Sequence, residues 1–298
     1  MSYHPHRQFA AAARPTAQMP RLVVGVVLIE AFNSGLRWLF DAALQWLPGI
    51  SAQAVWYGST RAGLLLQLCS FGFLGLGVVL VAHRLHHRGL HSLTGPLRPL
   101  LRDFRLTFLA VALLFAIVEM LPPYWDATAA SHARSLPLWL LTLPLALLAL
   151  TVQTGAEELF YRGYIQQQMA ARYDNALIWL LAPNVMFALA HWEPGDFSTP
   201  GLQYMIWALC FGLAASDLTA RTGTLGAAVG FHLANNAYAF LFFAEFAAPD
   251  SGLALLLFPQ GSLSGDLSPA GPLLSAPFLT ELAGVGLMWL AARVMLRR

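Results

Sequence analysis

Residues 136–164 read LPLWLLTLPLALLALTVQTGAEELFYRGY. A run of apolar residues passes, with no loop between, into two acids, an arginine and two tyrosines. A membrane-crossing helix needs about 20 mostly apolar residues, and 137–157 meets that need while ending on Glu157. An ionisable group in such a span costs roughly 2.5–3.5 kcal/mol near its centre, so it marks a function or an internal partner. This stretch therefore predicts membrane helices with polar residues turned into the bundle.

The rest of the chain agrees. Its 298 residues are 57% hydrophobic and 11% charged, with a mean hydropathy of +0.59. Soluble domains carry about 25% charged residues. Eight spans are predicted, near 22–48, 62–82, 106–122, 137–157, 176–192, 202–219, 225–246 and 273–294. The fold class is thus all-α, a polytopic membrane helix bundle. Turn-forming residues make loops of 123–135 and 247–272. Residues 1–20 lack the order of a signal peptide and are expected to be a disordered cytoplasmic arm. Residues 21–298 form the membrane-embedded domain.

Every basic residue is arginine, and the arginines test this map. On it, fourteen fall on one side and only Arg61 and Arg134 on the other, where Glu193, Asp196, Asp250 and Asp266 lie. Positive residues favour cytoplasmic loops, so both termini are expected in the cytoplasm. The net charge of +2 argues against a nucleic-acid partner. Cys69 and Cys210 each sit in an apolar run and read as small buried hydrophobes.

Three polar clusters stand out. Glu30, Asn33, Ser34, Arg37 and Asp41 share one helix face, and Arg37 can pair with Asp41 four residues on. The simplest role is a polar seam against the bundle; substrate contact is the alternative. His83, His86, His87 and His91 fall in a basic stretch with Arg84 and Arg88, where charge for orientation and anionic lipid suffices.

The third cluster carries chemistry. Glu158 and Arg162 are four apart, acid first, the favourable order for a helical ion pair. Glu157 points about 100° away, so one carboxylate can be held while the other stays free. Phe187 and His191 are also four apart, as are His232 and Asn236. Asn235 is a neighbour that could compete with Asn236, but the helical spacing favours Asn236. With a turn at Tyr173-Asp174-Asn175, Glu157 lies 17 residues before Asp174 and His191 lies 17 after it. Two antiparallel helices then bring both to one height, roughly 25 Å from the turn. That requires the fourth helix to run on through Gln168.

The ordered set Glu157-Glu158-xxx-Arg162, Phe187-xxx-His191 and His232-xxx-Asn236 resembles the three motifs of the CPBP family of intramembrane proteases. That family includes the CAAX prenyl endopeptidases and the Abi-type proteins. The motif region covers about residues 150–240. The resemblance implies about eight membrane helices around a cytoplasm-facing cavity, and peptide-bond hydrolysis by an activated water. Glu157 and His191 would activate the water. His232 and Asn236 would stabilise the oxyanion or help hold a metal. Glu158 with Arg162, and Phe187 beside them, would support the site. A bacterial inner membrane is the expected location, with membrane lipid and a membrane-associated peptide or protein as partners.

A buried glutamate is a credible general base, and imidazole and amide groups can serve an oxyanion in a dry site. The same residues offer a zinc site, with Glu157, His191 and His232 as three ligands and an open position for Zn2+-bound water. Sequence leaves both open. Two other functions compete with the protease: a non-proteolytic immunity or scaffold relative, and a cation-coupled carrier. A carrier should show two related halves, and the sequence shows no duplication.

Overall fold

A computed structural model describes residues 3–46, 49, 51–122, 129–263 and 271–297. Asp266 and Arg298, with parts of the two predicted loops, lie outside the described residues. The helices are α1 (His4–Phe9), α2 (Met19–Leu44), α3 (Ala52–Tyr57), α4 (Arg61–Ser70), α5 (Gly72–His86), α6 (Leu90–Thr94) and α7 (Leu97–Glu119). They continue as α8 (Leu136–Glu158), α9 (Gln167–Arg172), α10 (Ala176–Ala190), α11 (Thr199–Thr222), α12 (Gly226–Leu241) and α13 (Ala276–Leu296).

Helices of differing length stand at the eight predicted positions, in keeping with an all-α membrane protein. Four are long and apolar enough to cross a bilayer by length and composition: 19–44, 61–86, 136–172 and 276–296. The third is the longest, because α8 and α9 are joined without a break. Between them, residues 159–166 widen into a π-helical segment, a feature that clusters at functional sites. The expectation that this helix continues through Gln168 is met. The Tyr173–Asn175 turn is also where predicted, and the Asn175 side chain caps α10 by accepting from the Leu177 backbone N–H at 3.0 Å.

Besides Cys69, which is exposed rather than buried, two expectations need correction. Residues 4–16 are not disordered: α1 and a 3-10 stretch (Ala10–Thr16) fold under the bundle. His6, Phe9, Ala10, Ala13 and Thr16 are buried there. Specific partners offset the ordering cost: Tyr3 donates to Asp217 at 2.8 Å, and Thr16 meets His86 Nδ1 at 3.1 Å. The second correction concerns the end of the seventh predicted span. Here α12 stops at Leu241, and a three-stranded sheet follows: β1 (His132–Ala133), β2 (Phe243–Glu245) and β3 (Leu256–Phe258), in the order β1-β3-β2. β1–β3 is antiparallel and β2–β3 parallel. Apolar segments leaving a helix must still pair their backbone groups, and the strands do so. Arg134 fastens this cap by donating to the Ala254 and Ser251 carbonyls.

α12 lies directly against α7. An added Cβ at Gly226 would stand 2.0 Å from the Leu100 carbonyl oxygen, and one at Gly230 would stand 2.4 Å from that of Phe104. This small-xxx-small pair lets the two backbones touch, and it fixes where the polar face of α12 points.

Candidate active site

Gln153 and Glu157 are one turn apart near the end of α8 and share a face. Glu158 is turned inward and is fully buried, as is Arg162 from the π-helical segment. Their ion pair closes at 3.0 Å. Arg162 also donates to Asn184 Oδ1 at 2.9 Å, the Gly212 carbonyl at 3.0 Å and Ser216 Oγ at 3.3 Å. Its guanidinium lies 4.7 Å from the centre of the Phe187 ring. The buried charge is thus paired and hydrogen-bonded, the condition under which a dry ion pair is tolerated.

Glu158 Oε1 has a second partner: His232 Nδ1, at 2.8 Å. A carboxylate can only accept, so Nδ1 carries the hydrogen and Nε2 is the working nitrogen. His232 Nε2 lies 3.6 Å from Glu157 Oε2. That carboxylate oxygen is buried and has no hydrogen-bond partner among the described residues. On the same face of α12, Asn236 donates to Gln153 Oε1 at 2.9 Å and accepts from Asn235 at 3.1 Å. Asn236 is therefore the residue fixed by α8, as the spacing favoured, and Asn235 orients it.

His191 ends α10 and donates from Nδ1 to the Phe187 carbonyl at 2.8 Å, which leaves Nε2 able to accept. The Phe187 ring stands 4.3 Å from His191 and 6.3 Å from His232, centre to centre. It acts as a spacer between the two imidazoles. Glu157, Phe187, His191, His232 and Asn236 all line one cavity of about 390 Å³, with aromatic walls from Tyr204, Trp207 and Phe211. Glu158 and Arg162 stand behind it. The structure thus gathers every residue singled out from the third cluster.

A second cavity of about 520 Å³ meets Glu157 and His191 from the other direction and is lined by Glu30, Asn33 and Arg37 of α2. The polar face of α2 therefore looks toward the candidate site. The predicted Arg37–Asp41 ion pair does not form: Arg37 lies 4.3 Å over the Trp56 ring, and Asp41 accepts from the Trp56 indole at 2.7 Å. The intervening indole satisfies both side chains separately.

The zinc reading fits less well. Among the described residues, no three His, Cys, Asp or Glu side chains stand where one ion could be held. The bonds from Nδ1 of His232 to Glu158 and from Nδ1 of His191 to Phe187 leave the Nε2 of each ring open, so the geometry of the three side chains, and not their hydrogen bonding, decides against the ion. Glu157, His191 and His232 line one cavity without closing around a common point.

Sequence reasoning missed Gln153, Asn184, Ser216 and Asp250. Gln153 was findable, since it precedes Glu157 by one helical turn. Asn184 and Ser216 are single polar residues in apolar helices, which spacing alone does not connect to Arg162. Asp250 read as a loop acid, yet it lines the cavity. Burial pushes its carboxyl up, against a hydrogen bond from Gln67 that lowers it.

Residues 137–238 match the family model described as "Type II CAAX prenyl endopeptidase Rce1-like". A relative from Bacillus subtilis (strain 168), "Uncharacterized protein YyaK", is 32% identical over 108 residues. That match spans 36% of this chain and 36% of the relative's length. No solved structure matches the chain. The helices that carry Glu157, Glu158, Arg162, Phe187, His191, His232 and Asn236 thus form an Rce1-like segment, in agreement with the CAAX-protease likeness of its motifs.

Proposed function

We propose that this chain is an intramembrane endopeptidase that cleaves a peptide bond in a membrane-associated or lipidated peptide. The observation that carries the reading is the pairing of roles on two adjacent acids. Arg162 and His232 both hold Oε1 of Glu158, whose Oε2 stays buried without a partner behind the cavity, while Glu157 lines the cavity itself with an unpartnered Oε2 3.6 Å from His232 Nε2.

In this mechanism a water sits between Glu157 and the Nε2 of His191. Glu157 takes its proton as the oxygen attacks the substrate carbonyl carbon. The oxyanion that forms receives the second Nδ2 hydrogen of Asn236 and, when the ring is an imidazolium, the Nε2 hydrogen of His232. Glu157 then passes its proton to the departing nitrogen as the C–N bond breaks, leaving a carboxylic acid and a free amine, and the acid's remaining proton then moves to the amine to give carboxylate and ammonium. Glu158 and Arg162 act through His232, by fixing which nitrogen faces the cavity. Aromatic walls exclude bulk water, which strengthens each of these interactions.

The test uses the full chain in lipid vesicles. Glu157→Gln serves first as a trap, and membrane peptides that co-purify with it become the substrates for the wild type. Wild-type cleavage and a loss of at least about 100-fold in Glu157→Gln, with the thermal melt unchanged, are expected. Cleavage by the variant at the wild-type rate would falsify the protease reading. Binding without cleavage by the wild type would favour the immunity or scaffold alternative.

A further inference from the structure

We propose that the groove between α7 and α13 is a binding site for one anionic phospholipid. The groove has a volume of about 970 Å³. Leu113, Ile117, Leu287, Leu290 and Val294 line it and are about half exposed, so water or lipid must cover them. Its charged groups lie at one end alone: Arg102, Asp103 and Arg297. The opposite end, at Ile117 and Leu287, is apolar.

The two ends define the occupant's chemistry. From Arg102 to Ile117 the groove follows α7 for about 22 Å at 1.5 Å per residue. That exceeds the ~15 Å of hydrocarbon in one leaflet, so an acyl chain can lie in it along its full depth. The charged end carries two arginines against one aspartate. Asp103 is fully buried; it accepts from Arg102 at 2.8 Å and from Thr224 at 3.1 Å. The uncompensated charge at the mouth is therefore positive by one, the complement of a single phosphodiester. Arg98 and Arg105 lie one turn either side of Arg102 on α7 and extend the same sign toward a headgroup. A zwitterionic lipid would bring a cation into this positive mouth.

The site lies apart from Glu157 and does not rest on the protease reading. The full chain, stripped of lipid in detergent, is incubated with equal amounts of phosphatidylglycerol and phosphatidylcholine bearing the same acyl chains. Retained lipid is then counted by native mass spectrometry. Wild type is expected to keep one phosphatidylglycerol in preference to phosphatidylcholine. Arg297→Gln should lower that retention about fivefold, the weight of one arginine near an anionic surface, and this variant leaves the Arg102–Asp103 pair intact. Ala291→Leu, which fills the groove, should lower retention of either lipid. Arg84→Gln, at the end of another helix, should change nothing. Equal retention of the two lipids, or no effect of either groove variant, would overturn the proposal. So would displacement of the lipid by millimolar inorganic phosphate, which would mark a free-anion site, or by a lipidated peptide, which would mark a substrate groove.

Discussion

Glu158 accepts the Nδ1 hydrogen of His232 across a gap of 2.8 Å, and through that single bond one buried acid decides which way the imidazole works. Its other partner, Arg162, is itself held by Asn184, Gly212 and Ser216, and Asn184 in turn by Ser216 at 2.8 Å.

Because Glu158 and Arg162 are fully buried, removing one partner leaves an unpaired charge in a dry interior. Arg162→Met is expected to destabilise the protein by about 3 kcal/mol. The double variant Glu158→Gln/Arg162→Met should recover part of that loss while remaining inactive. Thermal unfolding in detergent reads the first effect and peptide cleavage the second. A double variant no more stable than Arg162→Met would refute the pairing.

Gln153 lines the cavity beside Glu157, but its side-chain oxygen is taken by the Asn236 amide, so it is a positioning residue for Asn236. Gln153→Met removes the acceptor and should lower kcat roughly tenfold while KM changes little, an effect made in the transition state. Gln153→Glu restores an acceptor at the same distance and should rescue most of the rate. Equal rates in the two variants would show that the hydrogen bond does not matter.

The contact of α12 with α7 leaves no room for side chains at Gly226 and Gly230. Gly230→Leu should separate the helices, destabilise the protein by at least 1–3 kcal/mol as overpacking does, and displace His232. Melting temperature and cleavage should fall together. A melt within a degree or so of wild type would contradict the close packing.

His6, buried against Trp179 and near Gln166, gives a pH dependence to the docked N-terminal segment. Burial lowers its pKa from 6.5 to about 4, so docking favours the neutral ring. The undocked segment binds a proton first as pH falls. Stability is therefore full above about pH 6.5 and declines toward pH 4, by up to about 3 kcal/mol. Asp174, Arg7 and Arg14 line the adjoining cavity and set the background. His6→Phe should flatten the melting temperature between about pH 7 and pH 5 relative to wild type. An identical slope in the variant would assign the dependence elsewhere.

What the sequence made legible was whatever obeys helical spacing. Glu158 and Arg162, Phe187 and His191, and His232 and Asn236 are each four apart, and each pair lands on the face expected. The turn arithmetic that placed Glu157 level with His191 also held, because it used only helix rise and a turn at Asp174. What stayed hidden depends on packing between helices. Nothing in the spacing of Tyr3, His6 and Thr16 says that Asp217, Gln166 and His86 lie within reach. Trp56 separates Arg37 from Asp41 by arriving from another helix. Short strands such as Phe243–Glu245 read as span because apolar triplets have no period of their own.

The wide π-helical turn at 159–166 has a consequence for the rod that contains it. Before the turn, Leu141, Leu145 and Leu148 look outward; at its last residue and just beyond it, Gln166, Gln167 and Gln168 are enclosed on every side. The turn works as a phase adjuster between a lipid-bathed half and a protein-bathed half. Deleting a single residue there, with no change to any named side chain, would swing Glu157 by about 100° relative to the glutamine trio. The acid would then be intact in composition and lost in direction.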